Sequence, residues 1–414
     1  MPVRRRSCAI LLATIASFVA TPALPQASTT TVARYTIDAG TTSGMAAMAS
    51  GQGSGLGGIM NALRGGEAQA AHELVLRIGS TRTPTGTPDA DHFLPRAAGL
   101  GESVPLLTPQ RAVSQPSQPG TPGGQQQMPS GRLLLFWGCG EHAPASQPVV
   151  IDFSRLARGQ VPAGLYAPAV NTPEAWSIST ENSRTYGDWP NAETRASVPG
   201  NASLLGAHRI ASNYAPEINF TLTDDFMPAL RLSNAELASG AVALSWNGLP
   251  NATGYYAWAF AGNPDSSGQM RDMVWWASSS TQAFGGPMAD WISPAVAQQL
   301  VRAGTVLPPT QTTCTIPAEV REAGGPMMMT SLYGYGPQAD FAYPPRPANS
   351  RTRYVPEWIA RVRFRSSTMA MVGMPGMGGM GSDEATTTQA PADTRPRCRG
   401  GIRGMAERAA GLCQ

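Results

Sequence analysis

Five methionines recur near the carboxyl-terminal end of the chain at spacings of two or three residues. They are Met369, Met371, Met374, Met377 and Met380. Thioether sulfur is a soft ligand that prefers Cu(I), so the series predicts copper binding by an exported protein in the periplasm. No histidine lies in this stretch. A low-complexity linker of glycine and methionine explains the same pattern and is the preferred interpretation, with copper binding kept as the alternative.

Histidines and carboxylates offer a second kind of chemistry. The chain has four histidines, namely His72, His92, His142 and His208, and an all-histidine metal site would need most of them together. The closest local cluster is Cys139-Gly-Glu-His142, which the fold could bring near Asp89, Asp91 and His92. Polar decoration of turns is the simpler interpretation. A hydrolase with dispersed acidic residues stays open, because paired carboxylates can lie far apart in sequence.

Four cysteines remain after a predicted export signal that contains Cys8. An even number of cysteines in an oxidising compartment predicts two disulfides. Cys398 and Cys413 flank a short predicted helix, and pairing them would contribute about 3 kcal/mol through chain entropy. Cys139 and Cys314 are then the remaining pair, with one cysteine in each predicted domain.

The charge balance of the chain excludes several classes of function. All 30 basic residues are arginine, so a phosphate-binding lysine, a Schiff base and a Ser-Lys dyad are impossible. Residues 1–27 contain three arginines and no acidic residue, which leaves 27 basic against 27 acidic residues in the mature chain. We therefore expect no nucleic-acid partner.

A local positive region lies between residues 346 and 365, where Glu357 is the one acidic residue. Its basic residues are Arg346, Arg351, Arg353, Arg361, Arg363 and Arg365. This cluster predicts contact with an anionic envelope polymer or with lipid headgroups. A solvated strand face together with linker charges explains the same cluster and is the preferred interpretation.

The amino-terminal residues have the layout of a signal peptide. Arg4, Arg5 and Arg6 precede an apolar run over 8–20, and small residues at Ala23 and Ala27 follow a proline. The pattern predicts a signal over 1–27 that is used by general secretion, a periplasmic or secreted mature protein, and no transmembrane segment after cleavage.

Short apolar runs bounded by turn residues dominate the first half of the mature chain. They lie at 73–79, 132–137, 149–153 and 218–222, with a strand-like opening at 33–38. Such runs predict a β-rich domain over 70–225 with a disordered insert at 113–131. The segment 28–69 is expected to be flexible because it is rich in Gly, Ser, Ala and Met.

The second half has a tighter strand pattern. A proline-led strand at 228–232 precedes Leu244 and Trp246, a Pro-Asn-Ala-Thr-Gly turn at 250–254, and a Tyr-led strand at 255–260. This pattern resembles a fibronectin type III or related immunoglobulin-like sandwich over roughly 227–345. The predicted domain covers 226–366, with a closing strand at 358–365. A helix near 289–303, capped by Ser293, departs from that family.

The sequence thus predicts an all-β protein with two β-sandwich-like domains, a disordered linker at 367–397 and a Cys-flanked tail at 398–414. The leading functional hypothesis is an exported, non-catalytic binding or scaffolding protein. Its partner would be an unknown envelope protein or an anionic envelope polymer. Four tryptophans are candidates for an exposed recognition platform, although core packing is the preferred interpretation for most of them: Trp258, Trp275, Trp276 and Trp291. Copper is the one cofactor considered.

Overall fold

The structure is a computed structural model of the 414-residue chain. It describes residues 30–49, 70–109, 131–158, 160, 177–191, 193–194, 197–264, 270–283, 286–325, 327–347 and 354–372, all within the compact unit 1–378. The predicted signal, the tail at 398–414 and nearly all of the insert at 113–131 lie outside these ranges. The predictions made for those segments therefore stay predictions.

Strands are the predominant secondary structure of the described chain and far outnumber helices, which confirms the all-β prediction. They are β1 Ala33–Gly44, β2 Ala71–Ser80, β3 Ala90–Phe93, β4 Ser103–Pro105, β5 Arg132–Trp137, β6 Val149–Asp152, β7 Thr185–Trp189, β8 Gly206–Ser212, β9 Ile218–Leu222, β10 Leu232–Glu236, β11 Val242–Trp246, β12 Gly254–Pro264, β13 Met270–Ala277, β14 Thr313–Ile316, β15 Met328–Tyr343 and β16 Trp358–Val372. The helices of the described ranges are short: α1 Met45–Ala49, α2 Phe153–Ala157, α3 Pro294–Arg302 and α4 Ala318–Gly324.

The strands form three sheets. The largest has nine strands in the order β6-β5-β13-β12-β15-β16-β1-β2-β7. The two smaller sheets have the orders β10-β11-β14 and β4-β3-β8-β9. Each small sheet covers a different half of the large one, so the chain builds two sandwiches that share a sheet.

The first sandwich packs β1, β2 and β7 against the four-stranded sheet. Alternate residues of a strand point to opposite faces, and this places Tyr35 and Ile37 of β1 in a buried core with Ile210, Ile218 and Phe220. Strand β1 is therefore an integral part of this sandwich. The strand-like pattern at 33–38 is thus part of β1, whereas the prediction of flexibility is wrong for residues 40–44, which continue the same strand.

The second sandwich packs β13, β12, β15 and β16 against the three-stranded sheet. Leu244 and Trp246 of β11 face Ala257, Leu332 and Val362 of the large sheet in the same continuous core. The closing strand runs to Val372, beyond the predicted end at 365. Residues 367–372 are thus strand rather than disordered linker, since all six pair with β15 and residues 367–369 also pair with β1.

The two sandwiches are joined by backbone pairing. Strand β16 of the second runs parallel to β1 of the first, from the pair Ala33 and Trp358 to the pair Gly44 and Met369. This ladder merges the two half-sheets into one. The predicted boundary at 225/226 falls between β9 and β10, but it does not divide the large sheet.

The hairpin of β5 and β6 belongs to the second sandwich, although its sequence lies among the strands of the first. It was predicted within the first domain, yet β5 pairs in parallel with β13 of the second. The reason is burial, because Phe136 of β5 enters the core of the second sandwich. A disulfide between Cys139, just after β5, and Cys314 of β14 ties the hairpin down, with a Cα–Cα distance of 5.1 Å. This is the pairing of Cys139 with Cys314 that the sequence analysis predicted.

Helix α3 adds a third layer to the second sandwich. Ser293 caps it by accepting a hydrogen bond from the amide of Val296, and Pro294 occupies its first turn. Ile292 and Ala297 pack with Tyr256 and Tyr335 on the side of the large sheet away from the main core. The helical insertion therefore partly covers that side of the sheet.

Candidate functional site

The side of the nine-stranded sheet that points away from the main core is here called the outer face. Strand β16 shows its composition, because Val362 and Phe364 point into the core while the intervening residues point outward. The outward residues are Arg361, Arg363, Arg365, Ser367, Met369 and Met371. The outer face thus brings together three of the arginines, two of the methionines and several of the tryptophans that the sequence analysis singled out.

A charged zone lies where the two sandwiches meet. Asp38 of β1 is fully buried and accepts hydrogen bonds from Arg363 Nε at 2.7 Å and Arg363 Nη2 at 2.9 Å. Arg77 of β2 donates a third, at 2.8 Å. Arg363 also donates to the carbonyl oxygen of Trp291 at 2.9 Å. Arg363 thus links the insertion that carries α3 to β16 of the second sandwich and, through Asp38, to β1 of the first.

The neighbouring arginines of β16 also have acidic partners. Arg365 Nη2 lies 3.1 Å from Glu73 Oε2, and its guanidinium carbon lies 4.2 Å from the ring centroid of Trp291. Arg361 Nε lies 2.7 Å from Asp340 Oδ1. The positive face predicted for 346–365 is therefore neutralised over β16, because Asp38 and Glu73 arrive from the first sandwich. Arg351 and Arg353 lie outside the described residues.

An aromatic zone lies on β12 and β13 of the outer face. It consists of Trp258, Phe260 and Trp275, which are all half-buried. The rings of Trp258 and Trp275 meet edge to face, with centroids 6.3 Å apart and an interplanar angle of 64°. Of the four tryptophans predicted as a platform, Trp276 is fully buried in the core and Trp291 lies over Arg365. Two of the four therefore contribute to this zone.

A methionine zone adjoins the aromatic zone. It consists of Met369 and Met371 of β16 with Met329 of β15, which pairs directly with Met371. Met374, Met377 and Met380 of the predicted series lie outside the described residues. Sequence reasoning missed Met329, although strand alternation is the signal that identifies it: Met328 points into the core, so Met329 must point outward.

The buried histidines form a hydrogen-bonded chain inside the first sandwich. Tyr35 Oη lies 2.7 Å from His92 Nδ1, His92 Nε2 lies 3.0 Å from His208 Nδ1, and His208 Nε2 lies 2.7 Å from the carbonyl oxygen of Leu204. The carbonyl can only accept, so each Nε2 carries the proton and Tyr35 donates. Burial is the main cause that lowers the pKa of both histidines. The chain is thus a neutral internal network.

The local cluster predicted around Cys139 does not form. Cys139 is in the disulfide, exposed His142 lies 3.1 Å from Glu319, and His92 is enclosed by Tyr35 and His208. Across the described ranges, no group of three or more His, Cys, Asp or Glu side chains is arranged to hold a metal ion.

Two carboxylates line a polar depression of about 550 Å³ at the β5, β6 and β13 edge of the sheet. Its described lining residues are Gly131, Arg132, Asp152, Ser154, Arg271 and Asp272. A hydrogen bond from Ser154 lowers the pKa of Asp152, and Arg132 lowers the pKa of Asp272. Glycoside hydrolysis needs one carboxyl with a raised pKa as the acid, so this pair does not support the hydrolase alternative.

Comparisons with models of known protein families and with curated proteins found no match. None of the helices in the described ranges has the length and apolar character needed to cross a membrane. The case for function consequently depends on the outer face and its zones.

Proposed function

We propose that this protein is an exported, non-catalytic binding or scaffolding module of the bacterial envelope that holds a protein partner at the aromatic zone. The observation that carries the proposal is the row of apolar residues Met329, Phe260 and Trp275, which are paired side by side across three strands and are half-buried. Aromatic residues and methionine are enriched in the cores of protein interfaces.

The strand order supports a binding module of immunoglobulin-like type. In such a sandwich, strands A, B and E share one sheet and C, F and G share the other. In the second sandwich, β10, β11 and β14 take the places of A, B and E, and β12, β15 and β16 take those of C, F and G. In the first sandwich, the same places belong to β1, β2 and β7 and to β3, β8 and β9.

The charges of the outer face favour a protein partner over an anionic polymer. The arginines of β16 are matched by Asp38, Glu73 and Asp340, so binding an anionic chain there would require separating ion pairs. The aromatic zone needs no such separation. Its contribution would come from burying apolar area, at about 25 cal/mol for each Å² removed from water.

Export is supported by the signal pattern at 1–27 and by the disulfide between Cys139 and Cys314, since disulfides persist in oxidising compartments. Fractionation of the source bacterium followed by amino-terminal sequencing tests this part. We expect the mature chain in the periplasmic or secreted fraction, beginning near Ser28. Recovery of the unprocessed chain from the cytosol would contradict it.

Site-specific photo-cross-linking in intact cells tests the binding surface. A benzophenone amino acid at Phe260 should capture a discrete partner, and Phe260→Glu should abolish that partner's co-purification without lowering the melting temperature by more than a few degrees. The matched control position is Leu205, an apolar residue of the first sandwich that is 47% exposed. Identical products from both positions, or none from Phe260, would refute the proposal.

A further inference from the structure

Three methionines, Met329 of β15 and Met369 and Met371 of β16, are neighbours on the outer face. Met329 and Met371 are directly paired across the two antiparallel strands, an arrangement that brings Cβ atoms to about 5 Å. Met369 is two residues from Met371 on the same face, a separation of about 7 Å along the strand. All three side chains are half-buried. The sulfur atoms can therefore reach a common point above the sheet.

A second observation marks the same place. Ser331 pairs with Met369 on one side and with Trp258 on the other, so its side chain lies on the outer face beside the thioethers. Ser331 is buried, and within the described part of the chain its Oγ has no hydrogen-bond partner. Leaving a buried hydroxyl unpaired is unfavourable, because the group loses its hydrogen bonds to water. A bound ion, or a water molecule held by that ion, would offset this cost.

We propose that Met329, Met369 and Met371 form a thioether site for Cu(I). Neutral sulfur ligands in a half-buried, uncharged setting favour a soft monovalent cation over Zn²⁺, Mn²⁺ or Mg²⁺, which prefer nitrogen, oxygen or thiolate. This proposal shares Met329 with the row of residues proposed to bind the partner, but its test uses the purified protein and does not need that partner.

The site differs from a tail-only copper segment because one ligand comes from β15. The pairing of β15 with β16 holds Met329 next to Met371 before any metal binds, which reduces the entropy lost on binding. An unstructured methionine series would bind equally well without Met329. The contribution of Met329 is thus the property that separates the two cases.

Competition for Cu(I) between the full-length, tag-free mature protein and a chromophoric Cu(I) chelator under anaerobic, reducing conditions tests the site. We expect one equivalent of Cu(I) to bind and Zn²⁺ not to compete. Met329→Leu and Met371→Leu should each weaken Cu(I) binding by at least about tenfold, since loss of even an outer-shell partner costs that much in known metal sites. Ag(I), which needs no reductant, should show the same ranking.

The matched control is Met273→Leu, a half-buried methionine of β13 on the same outer face, separated from β15 by β12. It should bind Cu(I) as the wild type does. A full-length variant with Met374, Met377 and Met380 changed to leucine should retain Cu(I) binding. The proposal is overturned if the wild type binds no Cu(I), if Met329→Leu binds as tightly as the wild type, or if the tail variant alone loses binding.

Discussion

Arg363 of β16 forms a two-point ion pair with Asp38 of β1, at 2.7 and 2.9 Å, across the junction of the two sandwiches. Asp38 is completely buried, and 325 residues separate the partners in sequence. The carboxylate is held by Arg363 and Arg77 together, one from each sandwich. A buried charge of this kind fixes the register of the parallel strands β1 and β16, because a shift by one residue would separate Asp38 from Arg363.

The first prediction concerns this ion pair. Replacing Arg363 with leucine should lower the free energy of unfolding by about 3 kcal/mol, because removing one partner leaves a buried charge poorly compensated. Urea denaturation followed by tryptophan fluorescence measures the effect. The matched control is Arg361→Leu on the same strand and face, whose partner Asp340 is half exposed, and we expect a loss of about 1 kcal/mol or less there. Equal losses would show that burial of Asp38 is unimportant.

The local features of the fold were predictable from sequence because they depend on neighbouring residues. The runs at 33–38, 132–137 and 218–222 are strands, and Ser293 caps a helix with Pro294 in its first turn. The parallel pairing of β1 with β16, and of β5 with β13, was not predicted. Alternation of apolar and polar residues fixes which face of a strand is buried, but it does not specify a partner strand hundreds of residues away.

The outer face was likewise predictable only in part, because its local pattern can be read from the sequence and its long-range contacts cannot. Alternation along 358–365 is enough to place Arg361, Arg363 and Arg365 on one side of a strand, but it does not reveal that Asp38 and Glu73 neutralise two of them. Met369 and Met371 were recognisable from their spacing. Met329 was hidden within three consecutive methionines, and its position next to Met371 depends on the register of two long strands.

The second prediction concerns pH. Burial lowers the pKa of His92 and of His208 below the unfolded value near 6.5, and the neighbouring His208 lowers that of His92 further. Below that pH the unfolded chain takes up protons that the folded chain does not, so stability is complete above about pH 6.5 and falls as the pH is lowered toward the folded-state pKa values. Between pH 7 and 5.5 the two histidines should together lower the free energy of unfolding by at most about 2.5 kcal/mol, the limit reached if neither takes up a proton in the folded protein.

Urea denaturation at several pH values checks this expectation. His72, whose pKa is lowered mainly by burial, adds to the same trend. His208→Gln should reduce the slope, whereas His142→Gln, at an exposed position, should leave it unchanged. A wild-type stability that stays constant from pH 7 to 5.5 would show that His92 and His208 can be protonated in the folded protein.

The third prediction concerns the disulfide between Cys139 and Cys314. It closes a loop with a sequence separation of 175 residues, and from chain entropy such a cross-link stabilises the folded state by up to about 5 kcal/mol. The double variant Cys139→Ser, Cys314→Ser should lose about 3 to 5 kcal/mol. The wild type measured in reductant should behave like that variant. Mass spectrometry of unreduced peptides should find Cys139 joined to Cys314, and any other partner for either residue would contradict the structure.

The fourth prediction concerns Gly44 at the end of β1. Its φ of +61° lies in the left-handed region, and a Cβ atom there would be 2.5 Å from the carbonyl oxygen of Met369. Gly44→Ala therefore combines backbone strain with a steric clash and should lower the free energy of unfolding by about 3 kcal/mol. Gly86 is the matched control, since its φ is +90° but no described atom lies within 4 Å of a Cβ at that position. Gly86→Ala should lose about 1 kcal/mol, from backbone strain alone. If thermal unfolding shows equal losses for the two variants, the close approach of β1 to β16 at Gly44 is not present in solution.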